Sequence, residues 1–142
     1  MVRIIDIKQS VFADNDADAG RLRQQLKERG VFLVNLMSSP GAGKTSVLKR
    51  TIDALKDEFR IGVMEADIDS SVDAEALSEL GVSVIQLHTG GMCHLDADMT
   101  RQGLTELGVF DGDKSPYDLV FLENVGNLVC PAEFDTGACR NV

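Results

Sequence analysis

The sequence predicts an α/β domain of three layers, a mostly parallel central sheet flanked by helices. Nearly continuous apolar runs, the pattern of strands covered on both faces, alternate with helical stretches. Single helices separate successive strands, and a parallel return needs such a crossover. The chain of 142 residues, 44% hydrophobic and 26% charged, suits one globular domain spanning 1–142.

In chain order, Asp14 to Arg29 reads as a surface helix with acids at its start and Lys27 and Arg29 at its end, as the helix dipole favours. Gly30 stops it. Val31 to Met37 is the first buried strand, followed by a Gly-rich turn and a helix from about Lys44 to Asp57. Ile61 to Ala66 is the second strand. Ser70 with Asp73 resembles a capping pair for a helix that runs to Leu80 and Gly81. Val82 to Leu87 is the third strand. After Gly90-Gly91, a helix from about Leu95 to Leu107 ends at Gly108, and Asp118 to Leu122 is the fourth strand. Cys139 to Val142 begins a fifth.

Charge narrows the function classes. Fourteen Lys and Arg against 23 Asp and Glu give a net charge of −9. So acidic a surface excludes non-specific binding to nucleic acid or anionic lipid, which needs a basic field. No apolar run approaches the roughly 20 residues of a membrane span, and no secretory leader is visible at the start. Three cysteines are too few for a disulfide framework. A cytoplasmic protein with reduced thiols is expected.

In parallel α/β sheets, ligands gather beyond the carboxyl ends of the strands. The polar clusters here follow strands: Ser38 to Thr45, Asp67, Cys93-His94, and Glu123 through Cys130. The first, Ser38-Ser39-Pro40-Gly41-Ala42-Gly43-Lys44-Thr45, matches the phosphate-loop pattern G-x-x-x-x-G-K-[ST] except that Ser38 replaces the first Gly. Gly41 and Gly43 let successive N–H groups turn toward phosphate oxygens. The following helix offers its N-terminus to the anion. Lys44 reaches the β- and γ-phosphates, and the Thr45 hydroxyl suits Mg²⁺. Ser39, Ala42 and Ser46 complete the nucleotide-binding assignment. The fold expected is therefore that of a P-loop NTPase.

Asp67 and Glu123 each end or follow a strand beside this loop, so they are the candidate catalytic and Mg²⁺-linked acids; Mg²⁺ takes oxygen ligands. Gly126, three residues after Glu123, can sense the γ-phosphate through its N–H. Asp69 and Asp73 are weaker candidates. Cys93, His94 and Cys130 are soft or borderline donors suited to Ni²⁺ or Zn²⁺. They fall short of a closed tetrahedral set, which leaves an open position or ligands from a second copy. On spacing alone a buried Cys and a loop His remain the alternative. His88 is a possible extra ligand, and Cys139 has no assigned role.

The segments MSSPGAGKTS, MEADIDSSVDAE, HTGGMCHLDADM and LVFLENVGNLVCPAEFDTGA resemble the hydrogenase nickel-incorporation GTPase family (HypB), a group of P-loop metallochaperones of the SIMIBI class. The resemblance runs from about residue 10 to the last residue. It implies a dimer that hydrolyses GTP and helps deliver nickel to [NiFe] hydrogenase. It implies that Lys44 and Thr45 hold nucleotide and Mg²⁺, that Asp67, Glu123 and Gly126 take switch and metal-linked roles, and that Cys93, His94 and Cys130 form a nickel or zinc site at the dimer interface. The partners it implies are a HypA-like nickel chaperone and the hydrogenase large-subunit precursor. The Asn-Lys-x-Asp motif by which the family reads guanine does not occur in these 142 residues, so the chain is expected to end before it. A urease-type nickel-insertion relative, a small ATPase or kinase with incidental Cys-His, and a metal-storage scaffold are the alternatives.

Overall fold

A computed structural model describes residues 2–7, 14–37, 44–66, 71–89, 95–124 and 135–142; of residues 44, 45 and 71–74 it describes the backbone alone. Its elements are β1 (Arg3–Asp6), α1 (Asn15–Glu28), β2 (Phe32–Leu36), α2 (Lys44–Leu55), β3 (Ile61–Glu65), α3 (Ser71–Ser78), β4 (Ser83–His88), α4 (Ala97–Leu107), β5 (Leu119–Glu123) and β6 (Arg140–Asn141). The sheet has six strands in the order β1-β4-β3-β5-β2-β6. Every pairing is parallel. All strands therefore end at one edge.

Strand alternation sorts the core into two faces. Leu33, Met64, Leu87, Val120 and Leu122 pack with Leu22 and Leu26 of α1 and Leu104 of α4. Val63, Val84 and Phe121 pack with Leu48 and Ile52 of α2 and Leu77 of α3. This is the three-layer arrangement expected, with the sheet wholly parallel. Among the described residues no helix is long and apolar enough to cross a membrane.

The termini of two helices follow local chemistry. Asp14 caps α1 by accepting from the Ala17 N–H at 3.1 Å, and Asp96 caps α4 by accepting from Met99 at 2.9 Å. Gly108 closes α4 in the left-handed conformation at φ 98°. The suggested Ser70–Asp73 cap lies outside the described side chains.

Two features go beyond the sequence reading. Strand β1 has no counterpart in it. It is four residues long and Ile4 is largely exposed, so its order comes from pairing with β4, Arg3 opposite Ile85 to Asp6 opposite His88. No local pattern carries that information. Helix α1, expected on the surface, buries Ala19, Leu22 and Leu26, and also Asp18. Arg101 of α4 reaches that carboxylate with two nitrogens, at 2.7 and 3.0 Å. The hydrogen bond from Arg101 holds the Asp18 carboxyl below its ordinary value, against the burial that raises it.

Breaking this pair leaves the buried Asp18 carboxylate to the longer 3.4 Å contact from Arg21, so Arg101→Met should destabilise the fold by about 3 kcal/mol at neutral pH. A carboxyl with a lowered native pKa stabilises the fold above its ordinary 3.8 and loses that contribution as pH falls through the native value. The gap in urea midpoint between the native chain and Arg101→Met should therefore narrow below about pH 4. An unchanged gap at pH 3 would refute the assignment.

Candidate functional site

The carboxyl edge of the sheet carries Glu65 and Glu123 at the ends of β3 and β5. Strand β2 leads into the phosphate-loop segment and α2 leads out of it. Register sets Leu36 of β2 opposite Glu123 of β5, and Glu123 opposite Glu65 of β3. Glu65 and Glu123 are 0% and 1% exposed. Two carboxylates are thus buried side by side, one and two strands from the phosphate-loop strand. Alternation places both on the face covered by α2 and α3, since Val63 and Phe121, two residues before each, pack there. Burying acids in register costs free energy unless cations or donors meet them. Their oxygens are the ligand type a divalent ion at a triphosphate takes.

The sequence-predicted residues divide as follows. Glu123 is where it was expected, at the strand end. Lys44 opens α2, and Thr45 and Ser46 lie in its first turn, with Ser46 exposed. Ser39, Gly41, Ala42, Gly43, Asp67, Asp69, Cys93, His94, Gly126 and Cys130 lie outside the described residues, and so do the side chains of Lys44, Thr45 and Asp73. Among the described residues, no group of three or more His, Cys, Asp or Glu is placed to hold a metal ion. His88 ends β4, half exposed, with its Nδ1 3.8 Å from the Asp6 carboxylate. Cys139 is partly exposed beside β6.

Glu65 was missed by the sequence reading. Its signal was there: an acid inside the apolar run Ile61-Gly62-Val63-Met64-Glu65-Ala66. The same holds for Asn35 within the run Val31 to Met37. Asn15 was missed as well. Its Oδ1 accepts from the Ala97 N–H and its Nδ2 donates to the Asp135 carbonyl, both at 2.8 Å. Ala97 lies three residues after His94, and Asp135 lies five after Cys130. One side chain therefore ties α1 both to the start of α4 and to Asp135.

Residues 32–139 match the family described as CobW/HypB/UreG, nucleotide-binding domain. The chain belongs to this family. Within the CobW/HypB/UreG proteins it is similar to the hydrogenase maturation factor HypB of Rhizobium leguminosarum bv. viciae, 45% identical over 140 residues, which are 99% of this chain and 45% of that protein. In three dimensions it is similar to the hydrogenase maturation factor HypB of Archaeoglobus fulgidus, with a TM-score of 0.79 and 38% identity over 92% of this chain and 61% of that one. It is also similar to HypB of Helicobacter pylori in complex with nickel, with a TM-score of 0.72 and 39% identity over 89% of this chain and 58% of that one. The chain spans about half the length of the curated relatives it matches. The resemblance stated on sequence motifs alone thus agrees with the family and with the fold of its members.

Proposed function

We propose that this chain is one P-loop NTPase domain over 1–142 of a GTP-hydrolysing nickel metallochaperone for [NiFe] hydrogenase maturation, acting as a nucleotide-dependent homodimer. The observation that carries the reading is the buried Glu123 at the end of β5, in register with the end of the strand that enters the phosphate-loop segment. The nickel held by the Helicobacter pylori relative supports the cargo. HypA-like chaperone and large-subunit precursor are the proposed partners, in the cytoplasm.

Backbone N–H groups of Ser39, Gly41, Ala42, Gly43 and Ser46, with Lys44 and Thr45, hold the triphosphate. The Lys44 ammonium offsets charge that builds on the β- and γ-phosphates, while Asp67 and Glu123 orient the attacking water. The oxygen donors Thr45, Asp67 and Glu123 fit Mg²⁺, which when bound neutralises phosphate charge. Gly126 meets the γ-phosphate and Cys130 lies four residues on, so one loop links nucleotide state to the metal site. Cys93, His94 and Cys130 hold nickel, or zinc in its place, as removable cargo.

Glu123→Gln keeps the shape and removes the charge. The expected result is a rise of about tenfold or more in the Mg²⁺ concentration for half-maximal GTP hydrolysis, measured by phosphate release. An unchanged Mg²⁺ dependence would remove Glu123 from the site. Native mass of the purified chain with nickel and a non-hydrolysable GTP analogue, and with the ATP analogue as comparator, reads dimer, metal count and base preference together.

A further inference from the structure

Three carboxamides form a chain of hydrogen bonds across the sheet, centred on the strand that enters the phosphate-loop segment. The Asn124 Nδ2 donates to the Asn35 Oδ1 at 3.0 Å, and the Asn35 Nδ2 donates to the Asn141 Oδ1 at 3.0 Å. Asn35 and Asn124 are 1% and 0% exposed, while Asn141 is exposed. Asn35 sits three residues before Ser38, and Asn124 directly follows Glu123. Asn35 shares a face with Leu33, and Asn124 with Leu122, so these hydrogen bonds run on the face of α1 and α4. Glu123 points to the other face.

Asn35 and Asn124 follow Leu33 and Leu122 of the apolar core by two residues on that face, so burial alone does not account for a pair of amides there. What an amide adds is direction, because it holds a partner at a fixed angle and distance. The Asn124 N–H also donates to the Leu36 carbonyl at 3.0 Å, and the Ala66 N–H to the Glu123 carbonyl at 2.9 Å. The peptide that carries Glu123 on one face is thus pinned through Asn124 from the other.

We infer that Asn35 is a positioning residue for nucleotide hydrolysis: its carboxamide grips Asn124 and so fixes the backbone that carries the Glu123 carboxylate at the end of β5. This rests on the hydrolase reading above. Small misplacements of a reacting group cost rate far more than they cost binding, so the signature is a split between kcat and KM.

The test compares Asn35→Ala, which leaves room for a water to satisfy Asn124, with Asn35→Asp. The aspartate still accepts from Asn124, and exposed Asn141 is free to turn its own amide toward it. With GTP as substrate, Asn35→Ala should lose tenfold or more in kcat while KM stays within about threefold, and Asn35→Asp should recover most of the loss. A kcat for Asn35→Ala within twofold of the native chain, or an Asp variant no better than Ala, overturns the inference. If Asn35→Ala fails to fold, Asn141→Ala at the exposed end takes its place: a threefold loss in kcat is expected, and an unchanged kcat overturns it. Lys44→Ala run alongside separates the two failures. If the native chain shows no Lys44-dependent hydrolysis, the hydrolase reading fails and this inference fails with it. If Lys44-dependent hydrolysis is present and the Asn35 variants match the native chain, only the inference falls.

Discussion

Replacing Lys44 by alanine is expected to reduce GTP hydrolysis by at least about 10²-fold, the scale seen when one electrostatic contact to developing charge is removed. The reason is local. Lys44 opens α2 directly after Gly43 in the sequence, and a helix N-terminus favours an anion. Backbone N–H groups bind phosphate in the ground state as in the transition state. The ammonium adds a full charge where charge shifts during bond breaking, so its loss lowers kcat more than it raises KM. Phosphate release at saturating nucleotide measures it. A variant that keeps a tenth or more of the native rate would leave the loop as a binding element only and would favour a scaffold role.

Metal binding should respond as sharply to Cys93→Ala. If Cys93, His94 and Cys130 are the ligands, as proposed, removal of one thiolate leaves too few donors to compete with water and buffer. A loss of about 100-fold or more in Ni²⁺ or Zn²⁺ affinity is expected, since even groups behind the ligands are worth 10–100-fold. Competition against a chromophoric chelator gives the number. Equal affinity in the variant would make the Cys-His pair incidental, and the chain would then stand as a nucleotide hydrolase without cargo. In the absence of metal, nucleotide binding should be unchanged in this variant, because Cys93 follows β4, two strands away from β5 and three from β2 in the sheet.

The reading of the fold from sequence rested on features that act locally. The apolar run from Val31 to Met37 and the glycines at 30 and 108, both at positive φ, are local signals and were legible; the glycine turn of the phosphate-loop pattern lies outside the described residues. Strand β1 was not legible, because four residues with an exposed Ile4 fold only where β4 offers an edge. Helix α1 read as a surface helix for a related reason. Asp18 is polar in the sequence, and only the approach of Arg101, 83 positions later, makes it a core residue.

The same division runs through the site. By itself the sequence determined the alternating α/β order, the acid at the end of β5 and the family the chain resembles, because each is written in neighbouring residues or in fixed spacing. Tertiary structure alone decided that Glu65 stands in register with Glu123, that Asn35 grips Asn124 and that Asn15 gathers two distant segments. Strand order in a parallel sheet is set by how helices cross over and which faces pack, and those are long-range choices. A polar residue inside an apolar run shows that something must meet it. What meets it is fixed only when the strands lie side by side.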